Sequence, residues 1–372
     1  MTGVHITGVG ITEFGKHGQT PLADLGVTAA EKALEDADVG YHRRRRGVHL
    51  LRVGGTADRH RCGTPVGPHG NTGDRDGERV CRGNGRLRHA VWAVASGRCR
   101  TALAIGYEKT TALEPGGVVP AAVGFWDRFP PQLHYAIEAA RFLHDTGCGP
   151  DVIAAVAAKS YNQARLNPLA ARRNPDEVTV DDVLGSRMVA EPLTKMMCHA
   201  SVDGGAAIVV SADPTPRSVS VLSIEQTSWP ADPDWPLVGP VVGPPSQITL
   251  TAKRAYANAG VDPQDIGVVS LHDMCASEEI TALIAMGLTD AAGAVKLTES
   301  GGLASDGSLP TNTDGGCVAR GHPIGATGLA QAAEIVTQLR GEAGSRQVPR
   351  PRIGLAQAVG GGGSCVVALL RG

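Results

Sequence analysis

Apolar residues recur along this chain with two alternating periods. Residues 4–9 (VHITGV) form an apolar run of strand length. Residues 22–37 (LADLGVTAAEKALEDA) then place Leu22, Leu25, Ala29, Ala33 and Leu34 near a 3.6-residue period, which predicts an amphipathic helix. The end of a buried helix is expected at 90–96, and a buried strand at 101–106 (TALAIG). From 115 to 185, Pro and Gly punctuate the chain and aromatics gather around one helix near 151–165, so this stretch predicts an excursion from the core. Strand-like runs follow at 205–211 and 218–224, and then the opening pattern returns. It comprises a helix at 249–259 (TLTAKRAYANA), a Gly-containing turn and a strand at 266–271 (IGVVSL). Helices at 278–286 and 326–340 come next, with strands at 353–358 and 365–370 flanking the run Gly360-Gly361-Gly362-Gly363. Strands alternating with helices argue for α/β layers, and the recurrence argues for a duplicated half.

Composition narrows the class. A length of 372 residues favours two domains at roughly 150 residues each. The chain is 42% hydrophobic but only 3% aromatic, with 49 Gly, which suits a large aliphatic core packed close through Ala and Gly and excludes a disordered or collagen-like chain. A net charge of -2 gives no basic field for nucleic acid. No apolar stretch reaches the length of a membrane span, and the start (MTGVHITGVG) lacks a basic region ahead of a hydrophobic one. The eight Cys are scattered, which predicts reduced thiols in a cytoplasmic protein.

The charge is uneven. Residues 43–88 hold 12 Arg and 4 acids, while all seven Lys lie elsewhere. The run Arg43-Arg44-Arg45-Arg46 leads into Gly, His and Pro, and the segment lacks the apolar period of a helix or strand. A basic surface insertion and a phosphate-binding patch are two readings. A third is that 43–88 is translated out of frame and, as written, cannot form the strand and helix that would carry a nucleophile. Cys62 with His60 and His69 brings a metal to mind, but no second ligand pair follows, so no metal is expected.

Three clusters carry candidate chemistry. Leu271-His272-Asp273-Met274-Cys275 stands where a buried strand runs out, the place where α/β folds put catalysis. The alternative is a His capped by Asp273 beside a packed Cys. Gly321-His322-Pro323-Ile324-Gly325-Ala326-Thr327-Gly328 fixes a tight backbone and presents His322 at the start of a helix, where an imidazole can take a thiol proton or donate to an oxyanion. A phosphate loop would need a following Lys-Ser/Thr pair, which is absent. The Gly360–Gly363 run is either a tight turn or a place of close backbone approach to a ligand.

With these stretches in place, the chain resembles the thiolase superfamily, most closely the sterol-carrier-protein-X and lipid-transfer-protein type. The resemblance rests on ALAIGYEK (102–109), MVAEPLTKMMCHASVDGGAA (188–207), LHDMCASEE (271–279), NTDGGCVARGHPIGATGLAQA (312–332) and GLAQAVGGGGS (354–364). It implies an α/β fold, a duplicated αβαβα sandwich with an inserted loop domain, divided into 1–215 and 216–372. It also implies an acyltransferase acting on acyl-CoA or 3-oxoacyl-CoA by Claisen condensation or thiolysis. Coenzyme A thioester would be substrate, with no tightly bound cofactor, in a homo-oligomer. The alternatives within the resemblance are a retro-aldolase on a β-hydroxyacyl-CoA, working with a small acyl-CoA-binding partner, and a catalytically dead acyl-CoA-binding scaffold.

Residue by residue, the resemblance puts His322 beside the nucleophilic thiol and His272 at a second oxyanion site. Met274 occupies the slot of the family's loop Cys, which leaves Cys275, one residue on, as acid/base candidate. The nucleophile's slot falls on Val80, with Cys81 adjacent. A one-nucleotide shift of reading permits Asn-Ala-Cys-Ala-x-Gly across Glu78 to Gly83, with the Cys triplet straddling Val80 and Cys81. Gly361 and Gly362 are the substrate-approach candidates.

Overall fold

Strands that are apolar on both faces need cover on both sides, and that requirement sets the layers here. The computed structural model describes residues 3–39, 48–52, 82–112, 131–228, 245–360 and 364–372. The first half runs β1 (His5–Ile11), α1 (Leu22–Asp36), β2 (Val48–Arg52), α2 (Arg82–Ala95) and β3 (Thr101–Lys109). The excursion follows as α3 (Pro131–Thr146), α4 (Asp151–Arg165), α5 (Val180–Leu184) and the small pair β4 (Met188–Ala190) and β5 (Leu193–Thr194). The chain returns to the sheet with β6 (Asp203–Ser211) and β7 (Val219–Ser228). The rest is α6 (Pro245–Ala259), β8 (Val268–Ser270), α7 (Ala276–Ala285), α8 (Ala291–Glu299), α9 (Thr327–Leu339), β9 (Ile353–Gly360) and β10 (Ser364–Arg371).

Among the described residues, eight strands form one mixed sheet in the order β2-β3-β6-β1-β7-β10-β9-β8. The order repeats about its middle. At one edge β2 runs parallel to β3, which pairs antiparallel with β6; at the other β8 runs parallel to β9, which pairs antiparallel with β10. The halves meet where His5 and Ile6 of β1 face Ser220 and Val219 of β7. On one face of both halves lie α2 and α9, in a single core that joins Leu87, Val91 and Ile335 with Ile6, Ile208 and Val366. The other face is covered by α1 on the first half and by α6 and α7 on the second. Counted by the two halves of the sheet, the layers are α1, first half-sheet, α2 with α9, second half-sheet, and α6 with α7, the αβαβα arrangement.

A polar clasp closes the seam between the halves. Asp36, at the end of α1, pairs with Arg340 beyond α9 at 2.7 Å and with Arg217 ahead of β7 at 3.0 Å. Arg340 also donates to the Thr7 carbonyl, and Arg217 to Glu342. The bonds from Arg340, Val9 and Arg217 outweigh the cost of burial and hold the Asp36 carboxyl below its usual range.

The 43–88 stretch needs a correction. Within it β2 forms, paired along Thr101–Ile105, and α2 begins at Arg82. Sheet-edge pairing supplies the strand that local pattern alone does not. The helix has its apolar period, but that period starts only at Leu87 and continues through Ala90, Val91 and Val94, all buried. Arg86, 3% exposed, is accommodated because it donates to the carbonyls of Ile105 and Gly325. Arg43 to Arg46, His60, Cys62, His69 and Cys81 lie outside the described residues.

Candidate active site

The site is built where β8 ends. Leu271 N–H donates to the Asn312 side chain at 2.8 Å and His272 N–H to Gln357 at 3.1 Å, so the 271–275 loop is tied to two other segments before α7 starts. Asp273 makes the decisive tie. Its carboxylate accepts from Cys317 N–H at 2.7 Å, joining this loop to the segment that carries His322. That segment, Gly316–Arg320, is one π-helical turn bounded by Gly315 and Gly321, a feature that concentrates at functional sites. Gly316 has φ +59°, and a Cβ there would lie 2.3 Å from the Asp273 carboxylate, so only Gly lets the two loops meet. Burial, then the nearby Glu279 carboxylate, pushes the Asp273 carboxyl up to about 7.

Two imidazoles face each other across this junction. The His272 and His322 rings stand 5.0 Å apart at 81°, and His199 packs edge-on against His322 at 5.4 Å. His322 Nδ1 lies 2.8 Å from Thr327 Oγ1, and the same hydroxyl donates to the Pro323 carbonyl at 3.0 Å. A hydroxyl has one proton, so it accepts from Nδ1–H, and this assignment puts the lone pair of neutral His322 on Nε2. Burial, then the neighbouring His272 and His199, holds His322 well below its ordinary value. Burial likewise pushes His272 down to about 3 and His199 down to about 4. His272 is buried with neither ring nitrogen partnered, a condition that costs about 1–3 kcal/mol until a ligand supplies the bond. It lines a cavity of about 430 Å³ together with Ile137, Phe142, Ile248, Gln357 and Val359. That volume is within the range of small-molecule sites.

Thiols are distributed unevenly around the imidazoles. Cys317 Sγ sits 3.8 Å from His322 Nδ1. One atom each of His272, Cys317 and His322 lies within 4.8 Å of the others, a spacing a divalent ion could bridge. A metal needs the thiolate, however, and burial with the adjacent Asp273 holds the Cys317 thiol well above its ordinary value. Cys275 points elsewhere. It caps α7, and its Sγ lies 3.8 Å from Cys198 Sγ.

The structure therefore brings His272 and His322 together and sets Cys275 against Cys198. Cys81, Gly361 and Gly362 lie outside the described residues. Sequence reasoning passed over His199, Cys317 and Thr327. The available signals were the Cys-His pair inside MCHASVDGG, a Cys five residues before His322, and a hydroxyl five after it.

Comparison with known proteins agrees with this architecture. Residues 245–371 match the family described as thiolase C-terminal domain-like. An acetyl-CoA acetyltransferase of Methanothermobacter thermautotrophicus is 32% identical, with 99% of each chain aligned. Sterol carrier protein 2 of Rattus norvegicus is 30% identical over 99% of this chain and 72% of its own length. Among solved structures, an Ltp2-ChsH2(DUF35) aldolase superposes with a TM-score of 0.80 at 24% identity, covering 99% of this chain and 97% of that one. A duplicated α/β sandwich with a two-loop histidine site defines the class, and the chain belongs to the thiolase family.

Proposed function

We propose that this protein is a thiolase-type acyltransferase that makes or cleaves the carbon–carbon bond of a 3-oxoacyl-CoA. The observation that carries the reading is the pair of perpendicular, neutral imidazoles, one of which, His272, lines the cavity with both nitrogens unpartnered. Acyl transfer builds negative charge on a thioester oxygen, and condensation builds it again on an enolate oxygen. Preorganised donors in a dry site stabilise such charge by several kcal/mol. In this reading His322 Nε2 takes the proton of a nucleophilic thiol and then donates to the acyl oxyanion. His272 holds the enolate oxygen; Cys275 is the acid/base candidate, and to return a proton to the α-carbon in the thiolytic direction its thiol has to turn from Cys198, which it faces in the structure. Splitting the reaction through a covalent acyl-enzyme gives two easier steps. Cys81 is the nucleophile candidate, and the backbone at Gly361 and Gly362 is the thioester's approach. Coenzyme A thioester is substrate, with no tightly bound cofactor. The halves 1–215 and 216–372 form one protomer of a cytoplasmic homo-oligomer whose contacts lie in the first half.

A second reading has specific support. Met274 in the family's loop-Cys slot and Val80 in the nucleophile slot suit retro-aldol cleavage of a β-hydroxyacyl-CoA with a small acyl-CoA-binding partner. The fold of the aldolase neighbour accommodates it. A scaffold that binds acyl-CoA without turnover is the third.

The test is turnover of acetyl-CoA and of 3-oxoacyl-CoA of several chain lengths, with and without iodoacetamide. Turnover abolished by the label supports the thiolase, and activity on β-hydroxyacyl-CoA that survives it supports the aldolase. His322→Asn keeps an amide donor near Thr327 but loses the Nε2 base, so kcat should fall about 10²–10³-fold with little change in melting temperature. Unchanged kcat would remove His322 from the reaction.

A further inference from the structure

Cys198 and Cys275 are far apart in sequence and meet face to face in the fold. They oppose each other in an isolated antiparallel bridge, with Sγ atoms 3.8 Å apart. The neighbouring bond, His199 N–H to the Met274 carbonyl at 2.8 Å, makes Cys198/Cys275 a non-hydrogen-bonded pair of that bridge. Such pairs hold their Cα atoms about 4.5 Å apart, inside the span a disulfide requires. Closing the sulfurs to about 2.05 Å needs side-chain rotation and a small loop adjustment.

The two thiols are unequal. Cys198 is 8% exposed and Cys275 1%. Arg172 donates to the Cys198 carbonyl at 2.8 Å and places its charge next to that residue. The hydrogen bond from Cys275, then Arg172, draws the Cys198 thiol down against its burial, while the same bond and burial drive Cys275 up. Cys198 is thus the less deeply buried residue of the pair and the one whose thiol is drawn toward the thiolate, the character that oxidation follows.

We propose that Cys198 and Cys275 are a peroxide-sensitive thiol pair, and that their disulfide switches the site off. The Cys198 thiolate attacks hydrogen peroxide; the S–O bond forms, the O–O bond breaks, and hydroxide leaves to be protonated to water. Cys275 sulfur then attacks the sulfenic sulfur. The S–S bond forms, the S–O bond breaks, and the hydroxyl departs as water with the Cys275 thiol proton. Two electrons pass from the sulfurs to the peroxide. The product locks the loop that carries His272 and Asp273 and consumes the Cys275 thiol. The disulfide stands on geometry alone; its effect on turnover rests on the acyltransferase reading.

The experiment treats the full-length reduced protein with hydrogen peroxide, blocks remaining thiols with N-ethylmaleimide and maps peptides without reduction. A Cys198–Cys275 cross-linked peptide that disappears with dithiothreitol is the expected result. Both residues recovered alkylated, or oxidised singly, would overturn the pair. In parallel, acyl-CoA turnover should fall about tenfold or more as the cross-link accumulates and recover with dithiothreitol. Cys198→Ser, measured against its own untreated rate, should resist. Equal loss in Cys198→Ser would place the sensitive thiol elsewhere, and a cross-link without loss of rate would remove the switch. A reduced protein with no turnover on any acyl-CoA would refute the acyltransferase reading while the peptide map still decides the disulfide.

Discussion

His272 is held neutral at a price in stability that depends on pH. Folded, it titrates at about 3, against 6.5 when exposed. Between those values the unfolded chain binds a proton that the folded protein refuses, so its full contribution is present above 6.5 and is lost as pH falls. His272→Gln removes this dependence. From about pH 7.5 to about pH 5 the natural protein should lose about 2 kcal/mol relative to the variant, read from urea unfolding at each pH. Asp273, raised to about 7, pulls in the opposite sense, so the comparison with the variant isolates the imidazole. Parallel pH profiles would mean that His272 protonates freely in the fold. The sequence made this residue legible, because a His where a buried strand stops is an informative position. It did not reveal Cys317 or His199 as neighbours, since Cys317 is brought in by donating its N–H to the Asp273 carboxylate and His199 by donating its N–H to the Met274 carbonyl, each across a long stretch of chain.

At the scale of elements, the glycines of β3 and of the His322 loop fix how closely strand and site approach. A Cβ on Gly106 would stand 2.1 Å from the Gly325 carbonyl oxygen, which already accepts from Arg86. Backbone cannot yield as a flexible side chain does. Gly106→Ala should therefore destabilise by about 1–3 kcal/mol and lower turnover by displacing the His322 loop. Thermal unfolding and acyl-CoA assays check the two effects; a variant as stable and active as the parent would show that the contact relaxes freely. Elements with a clean period, such as α1 and β3, were visible in the sequence. α3 was not, because Tyr135, Ala136, Ala139 and Phe142 are buried while Leu133 and Ile137 are exposed, leaving no single apolar stripe. α8 was missed for the opposite reason, burying only Ala294 fully. The end of α2 was visible at 90–96, but its start and β2 were obscured by the arginines around them, and pairing with β3 and packing against α9 give them shape.

Across the whole molecule, the seam is held by two residue pairs between β1 and β7 and by Asp36, which gathers Arg217 and Arg340 from the other half. Asp36→Asn should cost about 2 kcal/mol, between the values for exposed and buried ion pairs, and should leave urea unfolding less cooperative. An unchanged midpoint and slope would show that the clasp is dispensable. α9 reaches across the same seam. The second half supplies it, yet it packs under β1, β3 and β6 as well as β8 and β9. The second half thus provides the mould, a helix against which strands of both halves pack. Amides of α9, β9 and β10 should be the last to exchange with deuterium, and those of β2 and α2 among the first. The reverse order would give the mould to the first half.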